Sequence, residues 1–326
     1  MKRREFITLL GGSAVAWPLA ARAQQAGKVA RIGFFRYASP HQKQFDGFRE
    51  GLRANGYVEG QNIVIEQRYA DGAFDRLGQL AAELVRLNLD VIVVDGSATA
   101  KVIKAATSSI PVVFALATDP VGDGLVTSMA RPGTNLTGLT LSVGYQLAGK
   151  RVELLKDLKP DLSRLAVLLP PNNVTADSYL QDAERVGRAL GLSTRVFAAQ
   201  SVDDLPRAFA RMIEWQANGL ITLNDAFFFS QRERIVALTL ENKLAAVHPE
   251  AEFVEAGGLL SYGANLSDLF RRAAFYVDKI LKGAKPADTP IEQPSKFDLV
   301  VNVAAARTLG LTISREFLLR ADEVIE

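Results

Sequence analysis

Short apolar runs alternating with longer amphipathic segments constrain this chain more than any other feature of its sequence. VARIGFF (29–35) is rich in β-formers and leads through a polar loop to QKQFDGFREGLRANG (42–56), where Phe45, Phe48 and Leu52 fall at i, i+3 and i+7. That is the period of a helix with one buried face. The pattern recurs: NIVIEQRYA (62–70) precedes DRLGQLAAELVRLN (75–88), DVIVVDG (90–96) precedes SATAKVIKAATS (97–108), and PVVFALA (111–117) precedes DPVGDGLVTSMA (119–130). Runs with no polar break, such as Val91 to Val94, suit parallel strands covered by helices on both faces. NLTGLTL (135–141) closes the first series, and after the helical QLAGKRVELLKDL (146–158) a second begins. RLAVLLP (164–170), STRVFAA (193–199), GLITLND (219–225), AAVHP (245–249) and GLLSYGA (258–264) each predict a strand, with helical sequence between them. Two similar α/β halves follow.

The chain then departs from the repeat. LSDLFRRAAFYVDKILKG (266–283) is a long amphipathic helix with a Gly stop, and KPADTPIEQPSKFDLVVN (285–302) is a Pro-rich extended segment ending in a strand. A late helix followed by an extended crossing predicts that the chain returns to the first lobe and crosses again, which makes a hinge of several segments. The expected division is 28–143 plus about 265–285 for the N-terminal lobe, and 144–264 plus about 290–310 for the C-terminal lobe.

Residues 1–25 do not belong to this pattern. Lys2, Arg3 and Arg4 precede an uncharged run from Phe6 to Ala21, too short for a comfortable membrane span, and Ala21-Arg22-Ala23 offers small side chains to a signal peptidase. Arg3-Arg4-Glu5-Phe6-Ile7 is similar to the twin-arginine export pattern, so cleavage after Ala23 and a periplasmic location are expected. The segment carries four basic residues against Glu5, so its loss takes the formal charge from +2 to −1. A nearly neutral chain has no electrostatic footprint for nucleic acid or an anionic membrane. The absence of cysteine excludes disulfides, thiolate metal sites and a cysteine nucleophile. With 48% hydrophobic residues, the chain has ample material for two cores.

Several long blocks carry a family resemblance: FREGLRANGYVEGQNIVIEQRYADG (48–72), LAAELVRLNLDVIVVDGSATA (80–100), IPVVFALATDPVGDGLVTSMARPGTNLTG (110–138) and FVEAGGLLSYGANLSDLFRRAAFYVDKILKGAKPADTPIEQPSKFDLVVN (253–302). In these the sequence resembles the ABC-transporter substrate-binding proteins of the tryptophan-binding-protein-like group, a branch of the type I periplasmic binding proteins. The resemblance implies two doubly wound parallel-sheet lobes joined by a three-segment hinge. It also implies closure over one small solute, an amino acid or another aromatic or aliphatic carboxylate, and delivery to an ABC permease in the inner membrane. A monomer without cofactor or metal is expected.

In open α/β sheets ligands sit beyond the carboxyl ends of the strands. The residues expected there are Arg36, Tyr37 and Gln42 after the first strand, Ser97 and Thr99 after the third, and Thr118 and Asp119 after the fourth. The second half offers Asn172 and Asn173, then Asn224, Asp225 and Phe227, then His248. The helix start at Ser97 and Thr99 suits a carboxylate, and Asp225 suits an ammonium group. Bland readings stand beside these. Ser97 fits an ordinary N-cap, Asp119-Pro120 fits a helix start, Asn172 and Asn173 fit a turn, and Phe227, Phe228 and Phe229 cannot all face one ligand.

Rival functions find little support. An exported hydrolase needs a nucleophile or metal, yet the chain has two histidines, His41 and His248, and neither a G-x-S-x-G elbow nor an H-E-x-x-H pair. A repressor of the same two-lobed fold would carry a helix-turn-helix where this chain has its export-like opening. A sensor that signals to a membrane receptor would use the same cleft, and differs only in partner.

Overall fold

The computed structural model describes residues 29–141, 147–171 and 176–326. The expected export segment, Asn172 and Asn173 lie outside these residues. The first half supplies β1 (Ala30–Arg36), α1 (Gln42–Ala54), β2 (Ile63–Tyr69), α2 (Leu77–Val85), β3 (Val91–Gly96), α3 (Ser97–Ala106), β4 (Val112–Ala117) and β5 (Leu136–Thr140). The strands form one parallel sheet in the order β2-β1-β3-β4-β5. The second half supplies α4 (Leu147–Leu158), β6 (Arg164–Leu169), α5 (Ala176–Ala189), β7 (Ser193–Ala198), α6 (Asp204–Glu214), β8 (Gly219–Thr222), α7 (Ala226–Ser230), α8 (Arg232–Glu241), β9 (Ala245–His248), α9 (Ala251–Glu255) and β10 (Leu260–Gly263). Its parallel strands run β7-β6-β8-β9-β10, which repeats the strand order of the first sheet.

Alternation along each strand sorts the cores. In β1, Phe34 faces α1 and the later helix α10 (Leu266–Leu281), with its ring 5.1 Å from Phe45, 5.2 Å from Phe48 and 5.6 Å from Phe270. Phe35, the next residue, joins Leu80, Leu84 and Ile103 of α2 and α3 on the opposite face. Both faces are buried, so β3 can read Val91-Ile92-Val93-Val94 without a polar interruption. Helix α10 thus follows strands β6 to β10 of the second sheet in sequence but covers the first sheet. It approaches α1 so closely that a Cβ on Gly51 would lie 2.2 Å from the Arg271 carbonyl oxygen.

After α10 the chain runs along β5. Thr140 N donates to Glu292 O at 2.9 Å and Glu292 N to Gly138 O at 3.0 Å, so this strap covers the edge of the first sheet. It then enters the second sheet as β11 (Asp298–Asn302), antiparallel to β10, and the chain ends with α11 (Val303–Thr308), α12 (Arg315–Leu318) and β12 (Glu323–Ile325). The two expected parallel-sheet lobes are present, and β11 adds an antiparallel strand to the second because it arrives from the first lobe by an extended strap instead of a crossover helix. One expectation is corrected here. Residues 119–130 form turns rather than a helix, because Gly122 and Gly124 interrupt them and Asp119 accepts a bond from Gly122 N at 2.9 Å.

Candidate functional site

In a parallel sheet the strand order reverses at one point, and there the loops diverge to leave a crevice. This point lies beside β1 and β3 in the first sheet and beside β6 and β8 in the second. The residues just past these strands face one another across a cavity of about 670 Å³. Arg36, Tyr37, Asp95 and Ser97 line it from the first lobe, and Pro171, Asn224 and Asp225 from the second.

On the first side Asp95 organises the loops. Its carboxylate accepts bonds from Tyr37 N at 2.8 Å, Gly96 N at 2.8 Å and Thr99 Oγ1 at 2.6 Å. Tyr37 is buried, its hydroxyl donates to Gly72 O at 2.6 Å, and its ring packs 4.3 Å from that of Phe74. Burial, with Asp225 and Asp95 nearby, raises its phenol well above the ordinary range. Tyr37 therefore offers an aromatic wall rather than an acid. Arg36, 2% exposed, donates through Nη2 to Gln44 Oε1 at 2.7 Å, and Gln44 Nε2 donates to Glu252 Oε1 of the other lobe at 2.7 Å. Burial pushes the Arg36 guanidinium down and the Glu252 carboxyl up. A buried polar chain thus joins the lobes beside the cavity.

On the second side Asp225 caps α7 by accepting from Phe227 N at 2.8 Å. This sets Phe227 and Phe229 against the cavity, while Phe228 is wholly buried behind them. Asn224 accepts from Arg151 Nη2 at 3.3 Å and donates to Glu250 Oε1 at 3.0 Å. Glu250 is 4% exposed, and burial pushes its carboxyl up to about 8 against the opposing charge of Arg151.

Of the residues expected at the site, Tyr37, Ser97, Thr118, Asn224, Asp225 and Phe227 line this cavity. Four others are placed elsewhere. Gln42 bonds Asp46 on the outward face of α1, and Gln44, two residues on, points inward instead. Thr99 is fully buried, with its hydroxyl given to Asp95 and Gly96 O. Asp119 closes its own turn. His248 is sealed in the second sheet, bonded to Thr222 Oγ1 at 3.1 Å and stacked 4.4 Å from Phe253, and burial with the Arg151 charge holds it down to about 3, so it is neutral. The α3 N-cap is Gly96, so Ser97 is the first helical residue, and its hydroxyl accepts from Thr118 N at 3.4 Å. Sequence reasoning missed Asp95, Glu250 and Phe74. Asp95 had a signal, as an acid ending a buried apolar strand; Glu250 and Phe74 had none.

Two α/β lobes of repeated strand order, meeting at their switch points around one largely apolar cavity with a few fixed polar groups, define a small-solute binding protein of the cleft type. Residues 35–325 match the family model described as ABC transporter substrate binding protein, and the chain belongs to that family. Its fold is that of the type I periplasmic binding proteins. It is similar to a conserved domain protein from Vibrio cholerae, at TM-score 0.83 and 29% identity over 91% of this chain and 100% of that one. It is equally similar in fold to an ABC domain from Streptococcus pneumonia solved in complex with L-Trp, at TM-score 0.83 and 27% identity over 91% and 99% of the two chains. A tyrosine-binding protein of Clostridioides difficile is 23% identical over 265 residues, 81% of this chain and 76% of the relative.

Proposed function

We propose that this protein is the periplasmic solute receptor of an ABC importer, and that its solute is an aromatic α-amino acid. The observation that carries the reading is the division of the cavity: aromatic and aliphatic walls from Tyr37, Phe74, Leu116 and Phe227, with ionic groups where the strands end. Burying a zwitterion between closing lobes is costly unless both charges find partners. Asp225 on the second lobe suits the ammonium group. The start of α3, with Ser97 and Ala98 at the cavity wall, suits the carboxylate. A solute that touches both lobes stabilises the closed arrangement over the open one by its difference in affinity for the two. The tryptophan complex and the tyrosine-binding relative support the solute class.

Ligand at about a hundred times its dissociation constant should stabilise the protein by roughly 2.7 kcal/mol, read as a shift in thermal unfolding. A panel of L-tryptophan, L-tyrosine, L-phenylalanine and their deaminated acids tests the class. No shift with any amino acid overturns it. Export is tested separately. With Arg3 and Arg4 both replaced by Lys, precursor should remain in the cytoplasm, and an unchanged periplasmic yield of protein beginning at Gln24 removes the twin-arginine reading.

A further inference from the structure

Glu250 stands apart from the other acids of the cavity. Asp95 already accepts three hydrogen bonds, Asp225 is engaged as the cap of α7 through Phe227 N, and Asp123 is paired with Lys101 Nζ at 2.6 Å. Glu250 lines the cavity, is almost wholly buried, and among the described residues its carboxyl receives one hydrogen bond, from Asn224 Nδ2. Asn224 is fixed in turn by Arg151, whose Nε also donates to Tyr262 O at 2.9 Å and whose Nη1 donates to Tyr179 Oη at 3.3 Å. The second lobe therefore aims this carboxyl group rigidly while leaving it short of donors.

We infer that Glu250 joins Asp225 in receiving the ammonium group of the solute, and that it does so by giving up a proton it holds in the empty cleft. The inference rests on the proposed α-amino acid solute. The balance is simple: neutral Glu250 and a ligand ammonium become a carboxylate–ammonium pair, and one proton leaves to solvent. Arg151 on α4 favours the ionised form, as does the Asn224 bond. Glu252 on α9 and Asp225 before α7 favour the protonated form, and burial favours it most. Tyr179 on α5 and His248 on β9 are both neutral near pH 7, the first raised by burial and the second lowered. The result is an acid pushed up to about 8, protonated in most molecules at neutral pH.

The sign follows. Below pH 8 the empty site must lose a proton before it can pair with an ammonium group, so affinity for an amine ligand rises with pH, by up to about tenfold per unit, and levels off above pH 8. An amine-free aromatic acid gains nothing from the ionised form, so its binding does not strengthen over the same range. Glu250 thus selects for the amino group, and does so increasingly as the pH rises.

Titration calorimetry of the mature chain with L-tryptophan and L-tyrosine, at pH 6 and pH 7 in buffers of different ionisation enthalpy, reads the proton directly. The expected result is release of close to one proton per ligand and a nearly tenfold gain in affinity between the two pH values. Glu250→Gln, which has the shape of the neutral acid and keeps a partner for Asn224, should bind with no proton release and a flat profile. Proton release unchanged in the variant, or absent in the wild type, overturns the assignment. Wild-type binding of an amine-free acid with no amino acid bound overturns the solute class itself, and this assignment with it. Carbon-13 titration of the glutamate carboxyls, with and without L-tryptophan, tests the same exchange in the wild type should the variant fold poorly; a Glu250 carboxyl with an ordinary pKa in the empty protein overturns it.

Discussion

Asp225→Ala should weaken binding of an α-amino acid by about 2–5 kcal/mol, the usual cost of stripping one partner from a buried, hydrogen-bonded charge pair. The deaminated analogue of the same ligand should lose much less, because it brings no ammonium group to the second lobe. Part of any loss is indirect. Asp225 also caps α7 through Phe227 N, and loss of such a cap costs about 1 kcal/mol of stability and loosens Phe227 and Phe229 against the cavity. Measuring both ligands separates the two effects, since a looser aromatic wall weakens both and a missing charge weakens one. Equal weakening of both, or wild-type preference for the deaminated acid, would remove the ammonium from this position and leave a plain aromatic carboxylate as the better solute.

The second large effect concerns the scaffold. Gly138 sits in β5 opposite Phe114 of β4, where the register of the two strands shifts, with φ at +144°. A Cβ there would lie 2.0 Å from the Phe114 carbonyl oxygen and 2.8 Å from its nitrogen. Backbone on both sides of the clash cannot swing away as a side chain would. Gly138→Ala should combine backbone strain of about 1–3 kcal/mol with overpacking of about 1–3 kcal/mol, a large share of the stability of any domain. Urea unfolding should show the loss, and a change under about 1 kcal/mol would mean that β4 and β5 do not approach so closely.

Most of the strands were legible because they are apolar runs bounded by polar or turn sequence, and a buried parallel strand needs little else; the short, largely exposed β12 gave no such signal. Their ends located the cavity, which is why Tyr37, Asn224 and Asp225 could be anticipated at its wall. What stayed hidden depends on competition between neighbours. Gln42 and Gln44 are chemically identical, and it is Gln44 that turns inward, where Arg36 and Glu252 take both ends of its amide. Thr99 has the hydroxyl a ligand would want, but Asp95, four residues earlier, takes it first. His248 and Glu250 are two residues apart, yet one is sealed within the sheet and the other opens onto the cavity just beyond it. The turn at 119–130 shows the same limit: Asp119-Pro120 could begin a helix, and Gly122 and Gly124 then prevent one.

Helix α10 also sets the order in which the molecule can be completed. A ribosome delivers the chain from its N-terminus, so Phe34, Phe45 and Phe48 are made long before Phe270, the ring that seals them. A nascent chain that has reached β5 holds five strands, one face covered by α2 and α3 and the other by α1 alone; the part of that face that α10 will cover remains apolar and open to water. It stays so until the whole parallel part of the second sheet has been synthesised. The lobe that is begun first is closed almost last, and through that interval its uncovered apolar surface is open to wrong partners. Cutting the chain after β5 would yield not a small domain but half of a core.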